Sequence, residues 1–254
     1  MKREVYHNML SGQQEGRKKV ALLIDPDDFD KKRFVYDFAQ FRENQIDFVL
    51  VGGSLVTSNQ MEEVVNMVKK YSDLPCIIFP GNSIQIDASA DAILFLSLIS
   101  GRNPEFLIGQ HVVSAPIIKR SQLEVLATGY MLVNSGRSTS VSYMSNTTPL
   151  PNDKPALAAS TAMAGEMLGL QILYLDAGSG ADHPVSPRVI RAVRNVTKAP
   201  LIVGGGLDAK EKIKSAFDAG ADVVVIGNGI QKNPGLLAEV SELMNSYREA
   251  LNVH

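Results

Sequence analysis

The chain has 254 residues, of which 45% are hydrophobic and 20% charged, with a net charge of −2. That is enough apolar material for a sizeable core, and the charge balance, with no basic block, gives a nucleic-acid partner no electrostatic support. A lone cysteine, Cys76, rules out an internal disulfide or a cysteine metal cage, and no run approaches the length of a membrane span or a secretion signal, so a cytoplasmic protein is expected.

Short β-rich apolar runs alternate with amphipathic stretches. The first run is Val20 to Ile24, closed by Asp25-Pro26 and followed by a helical stretch from Lys31 to Asn44 with Phe34, Phe38 and Phe41 at helical spacing. The second is Phe48 to Val51, closed by Gly52-Gly53-Ser54, with a helix near Gln60 to Tyr71. The third is Cys76 to Phe79, and the fourth, Ala92 to Ile99, precedes a helix over Pro104 to Ile118. The fifth is Tyr130 to Val133 and the sixth Ile172 to Leu175, each followed by helical sequence, at Ala156 to Leu168 and Pro187 to Asn195. The seventh, Leu201 to Val203, leads through three glycines to a helix from Ala209 to Ala219. The eighth, Val223 to Ile226, leads through Gly227-Asn228-Gly229 to a last helix near Pro234 to Tyr247.

This alternation predicts a parallel sheet with helices outside, and eight strands close a barrel. We expect a single (β/α)8 TIM-type barrel domain over residues 1–254, with an open doubly wound sheet as the alternative. Asn82 to Asp91 is too short for a comfortable crossover helix, so an irregular or extended segment is expected in its place. Ser135 to Gly169 is long, and its Ser/Thr-rich first half is a candidate mouth loop.

In such a barrel the chemistry lies where strands end. Gly205 and Gly206 after strand seven, with Gly227 and Asn228 after strand eight, stand at the usual phosphate-binding loops of the fold; the plain alternative is tight turns. Asp25 and Ser54 end adjacent strands and together suit Mg²⁺, whereas Asp25 alone suits a turn cap. Tyr174 and Asp176 share one face of strand six, and Asp176 is either a general base or a structural carboxylate bonded to glycine amides. His7, His111, His183 and His254 show no metal spacing.

The strand ends, in order, resemble the geranylgeranylglyceryl phosphate synthase family, the PcrB-like prenyltransferases. The matching pieces are LIDPD ending at Asp27, VGGS at Val51–Ser54, FPGN at Phe79–Asn82 and SGRNPEFLIGQHV at Ser100–Val112. They continue with GRSTSVSYMSNTTPLP at Gly136–Pro151, YLDAGSGA at Tyr174–Ala181, VGGGL at Val203–Leu207 and VIGNG at Val225–Gly229. The resemblance implies transfer of a polyprenyl group, C20 by the look of the Gly136–Pro151 segment, from its diphosphate to sn-glycerol 1-phosphate, with Mg²⁺ on Asp25 and Ser54. By position, Tyr174, Leu175, Asp176, Ala177, Gly178, Ser179 and Gly180 would bind glycerol phosphate, and Gly205, Gly206, Gly227 and Asn228 its phosphate. Asp176 would act on the hydroxyl. The family usually carries glutamate there, so Asp176→Glu is expected to keep much of the activity, the alternative being a site closed around the shorter side chain, in which the extra methylene would misplace the acid. Phe106, Leu107 and Tyr143 are candidates for the prenyl groove. A homo-oligomer is implied, and a heptaprenyl donor is the variant reading. Rival functions are another phosphate-binding barrel enzyme (an isomerase, flavin oxidoreductase or aldolase, though no strand run holds an aldolase lysine) and a non-catalytic binding module.

Overall fold

The computed structural model describes residues 4–31, 46–227, 233 and 235–252. Eight parallel strands close a ring in chain order, β1 Lys19–Ile24, β2 Phe48–Gly53, β3 Cys76–Pro80, β4 Ala92–Leu98, β5 Glu124–Leu132, β6 Ile172–Asp176, β7 Leu201–Gly204 and β8 Val223–Ile226. The ring closes through β1 and β8, with Ala21 opposite Val225, which excludes the open sheet.

The strands are apolar on both faces because both are buried. Alternate residues divide them: Ala21, Phe48, Leu50, Ile172 and Val223 fill the barrel, while Val20, Val49, Val51, Leu173 and Val224 pack beneath the helices. The outer layer comprises α2 Met61–Tyr71, α3 Gln110–Ser121, α5 Pro155–Met167, α6 Pro187–Arg194, α7 Lys210–Asp218 and α8 Leu236–Asn252. A π turn at Glu105–Gly109 leads into α3, and a short helix, α4 Ser140–Ser145, lies in the mouth loop. The helix expected over 31–44 falls largely outside the described residues. No described helix is long and apolar enough to cross a membrane.

Three findings refine the expectations. The short third crossover forms turns and no helix, and it is fastened by Asp91, whose Oδ2 accepts the Cys76 N–H at 2.8 Å. β5 begins at Glu124, not Tyr130, because pairing with β4 from Ala92 to Leu98 holds Glu124, Thr128 and Gly129 in a strand that their own polarity disguises. A helix not anticipated from the sequence, α1 Glu4–Gln14, closes the N-terminal end of the barrel. Its Val5 and Met9 join the inner core, and the buried Glu124 carboxylate accepts from the Val5 and Tyr6 amides at 2.9 and 2.8 Å. These amides lack helical partners, so the carboxylate both satisfies them and meets the positive end of the helix.

Candidate active site

The C-terminal ends of the strands surround one cavity, lined by Asp25, Ser54, Tyr174, Asp176 and the glycine turns. At its β1 edge, Asp25 caps a 3₁₀ turn, Pro26–Asp28, with Oδ1 accepting the Asp27 N–H at 3.0 Å. The cap uses one carboxylate oxygen, and Oδ2 lies against Gly53, the last residue of β2 before Ser54. Burial pushes the Asp25 carboxyl up; the Asp27 amide opposes this, and the neighbouring Asp28 and Asp27 carboxylates add to it. No cationic side chain contributes among these causes. A half-buried carboxylate lining the same cavity as a serine suits a hard divalent cation that takes few protein oxygens and completes its shell with water and phosphate. The described residues hold no group of three or more His, Cys, Asp or Glu side chains able to form an all-protein metal cage.

Across the cavity, β6 presents Tyr174 and Asp176 on its inner face. Asp176 is only 7% exposed, and both its oxygens are engaged: Oδ1 accepts the Gly178 N–H at 2.7 Å and Oδ2 the Tyr130 hydroxyl at 2.6 Å. Burial pushes the Asp176 carboxyl up, and these two bonds pull it down. Tyr130 and Tyr174 meet edge to face at 5.3 Å, and Phe79 stacks on Tyr174 at 5.4 Å. The Tyr174 hydroxyl fits because β7 has Gly204 there; a Cβ would stand 2.5 Å from it. Tyr130 escaped the sequence reading. The signal available was its inner-face position near the end of β5, directly beside Tyr174 in the sheet.

The glycine turns lie beside this carboxylate. Gly205 and Gly206 have φ of 81° and 68°, a region open to glycine and strained for other residues. A Cβ on Gly205 would stand 2.7 Å from both the Ala177 nitrogen and Asp176 Oδ1, so the turns after β6 and β7 interlock. Gly178, Ser179, Gly180, Gly205, Gly206 and Gly227 all line the cavity. Leu175 and Ala177 do not: their side chains belong to the outer core, and the Ala177 N–H is spent on the Gly204 carbonyl. Asn228 lies outside the described residues. None of the described lining residues is Lys or Arg. Among the described residues an anion here would meet backbone amides, and Asp208, which also lines the cavity, is paired with Lys212 at 2.6 Å.

From the mouth the cavity runs past β4 into an apolar channel. Leu94, Leu96 and Leu98 line it from inside the barrel, and Ile93 and Phe95 from the outer face of the same strand. Ile86, His111, Ser114 and Ile118 complete it, from the third crossover and α3. The missing crossover helix leaves this space open. Phe106 lines the channel, whereas Leu107 and Tyr143 do not; Tyr143 is 83% exposed, and its neighbours Val141 and Met144 reach the cavity instead. His111, on α3, packs edge-on against Phe95 at 4.4 Å, and burial holds its pKa below the usual imidazole value. His183 lies against Gly136 in the mouth loops.

The profile of the PcrB family matches residues 14–245. The geranylgeranylglyceryl phosphate synthase of Spirosoma linguale is 52% identical over 236 residues, 93% of this chain and 95% of that protein. That of Chitinophaga pinensis is 45% identical over 246 residues, 97% and 98% of the two chains. In three dimensions the chain is similar to (S)-3-O-geranylgeranylglyceryl phosphate synthase from Thermoplasma acidophilum, solved in complex with substrate sn-glycerol-1-phosphate. The TM-score is 0.88 at 30% identity, covering 96% of this chain and 98% of that one. On its sequence, its closed barrel and the order of its strand-end motifs, the chain belongs to the PcrB family.

Proposed function

We propose that this chain joins a geranylgeranyl group, from its diphosphate, to sn-glycerol 1-phosphate through an ether bond, releasing diphosphate. The observation that carries this reading is the continuity of the cavity. A carboxylate and serine edge suited to a metal-bound diphosphate, a carboxylate beside glycine turns, and an apolar channel all open into one space. The relatives named above add the substrate class.

In this reading the amides of the turn at Gly205 and Gly206, with Gly227 and Asn228, hold the acceptor phosphate. Tyr174, Ser179 and the backbone from Leu175 to Gly180 shape the acceptor site, although Leu175 and Ala177 contribute no side chain to it. Asp176 takes the proton of the acceptor hydroxyl as its oxygen bonds to the allylic carbon. Asp25 and Ser54 would hold Mg²⁺, which when bound offsets the charge of the leaving diphosphate. The channel between β4, the third crossover and α3 receives the tail and excludes water from the allylic carbon. Bringing both reactants into one cavity lowers the entropic part of the barrier. A homo-oligomer belongs to the same reading, and Ile108, Val112, Val113 and Ile117, exposed along the π turn and α3, offer it an apolar face.

The test is incubation with Mg²⁺, each enantiomer of glycerol 1-phosphate and donors from C10 to C35, read by mass spectrometry. The C20 ether of sn-glycerol 1-phosphate is expected as the main product. Main product from the C35 donor would favour a heptaprenyl enzyme, and no ether from any pair would overturn the reading.

A further inference from the structure

Asp176 has a short side chain in a nearly closed position, and one of its two hydrogen-bond donors comes from another strand. Tyr130, on β5, is 5% exposed, and its ring is held among Phe79 and Tyr174, with centroids 6.1 and 5.3 Å away. Its hydroxyl meets Asp176 Oδ2 at 2.6 Å, and Tyr130 lines the same cavity. Burial, first, and the neighbouring carboxylate raise the Tyr130 phenol well above its usual value, so it remains a proton donor throughout the working range.

We propose that Tyr130 is a positioning residue for the transfer reaction: its hydroxyl keeps Asp176 ionised and fixes the carboxylate orientation presented to the acceptor hydroxyl. The inference rests on the reaction proposed above. During the step, the acceptor oxygen bonds to the allylic carbon, the carbon–oxygen bond to diphosphate breaks, and diphosphate departs with the electron pair. The hydroxyl proton passes to Asp176, while the Tyr130 proton stays on its own oxygen.

The physical need is specific. Desolvation works against the ionised form of Asp176, and only hydrogen bonds to the carboxylate counter it. Without Tyr130 only the Gly178 amide remains of the two bonds described. The titratable groups facing Asp176 are Tyr130 from β5 and Tyr174 from its own strand, both kept neutral by burial. The turn after β7 faces it with Gly205, which has no side chain. The Tyr130 hydroxyl is therefore the adjustable control on this carboxylate. A core tyrosine that merely satisfied its own hydroxyl would shift the Asp176 titration when replaced but leave the acid limb of turnover where it was, and the two moving together separates the roles.

The experiment compares the wild-type chain with Tyr130→Phe in two readouts. In turnover, the acid limb of the kcat/KM profile for sn-glycerol 1-phosphate should move up by about one pH unit on loss of a hydrogen bond to a charged group. At the wild-type optimum kcat should fall about tenfold, with KM for the donor within about twofold. Independently of turnover, the Asp176 carboxyl ¹³C resonance, assigned with Asp176→Asn, should titrate at higher pH in Tyr130→Phe. An unchanged Asp176 titration would overturn the inference, whatever the activity, and so would a raised titration with the acid limb of turnover unmoved. A raised titration in a chain that makes no ether would support the positioning and overturn the reaction. If Tyr130→Phe fails to fold, 3-fluorotyrosine at position 130 keeps the ring and strengthens the donor. The Asp176 titration should then move down, and no movement would overturn the proposal.

Discussion

The Asp25 carboxylate lies against the α-carbon of Gly53, so close that a Cβ there would stand 2.8 Å from Oδ2. A side chain at that point of β2 would displace the carboxylate. Gly53→Ala is therefore expected to raise the Mg²⁺ concentration needed for half-maximal turnover. Asp25→Asn should lower turnover by about 10²-fold or more through loss of metal and diphosphate placement. It should leave Tm unchanged or slightly raised, because an amide oxygen still accepts from Asp27 and burial already disfavours the charge. A large fall in Tm would assign Asp25 to capping alone, and full turnover in EDTA would remove the metal from the mechanism.

Asp176→Asn should lower kcat by roughly 10²–10⁴-fold as a general base is lost. For Asp176→Glu the packing favours the closed-site outcome, a loss of activity. With both oxygens already bonded and Gly205 packed against Oδ1, an added methylene displaces the acid, and a shift of about 1 Å can cost about 10²-fold. Wild-type turnover in Asp176→Glu would show that the site retains room for the longer side chain.

The same residue gives a pH prediction. The folded-state pKa of Asp176 is raised, so between the ordinary carboxylate value and the raised one the folded state binds more protons than the unfolded state. Its contribution to stability is present at low pH and is lost as pH rises through the raised pKa. The wild type minus Asp176→Asn difference in urea midpoint should therefore favour the wild type more at pH 4 than at pH 7. A difference independent of pH would mean that Asp176 titrates normally.

Ser114 lies on the α3 wall of the apolar channel, between His111 and Ile118. Ser114→Phe should block the tail partway along. Product from C20 donor should fall by about tenfold or more while C10 donor is less affected, the expected sign when a pocket loses depth but keeps its reacting end. Equal losses with both donors would place the tail elsewhere.

At the opposite end of the barrel, Glu124→Gln should reduce stability by about 1–3 kcal/mol, since it weakens charge-assisted bonds to the first amides of α1. Urea unfolding measures this directly. Turnover at 25 °C should stay near wild type, and a loss of activity matching a catalytic variant would show that α1 communicates with the mouth.

The barrel and most of its strand ends were legible because they rest on local signals. Strands buried on both faces read as uninterrupted runs such as Phe48 to Val51 and Val223 to Ile226, and the glycines and Asp-Pro that end them mark the loops. The short third crossover could be read from chain length alone. What the tertiary structure decided was which side chains meet. Tyr130 and Asp176 are 46 residues apart and touch because register sets β5 beside β6. α1 gave no helical signal of its own, because only barrel closure gives Val5, Met9 and Glu124 a common place. Leu175 and Ala177 belong to a cavity-lining motif yet face the outer core, because alternation along a strand turns every second side chain away. Local sequence patterns set the elements and where they stop, whereas contacts across strands depend on closure and register, which leave no signature in any one segment.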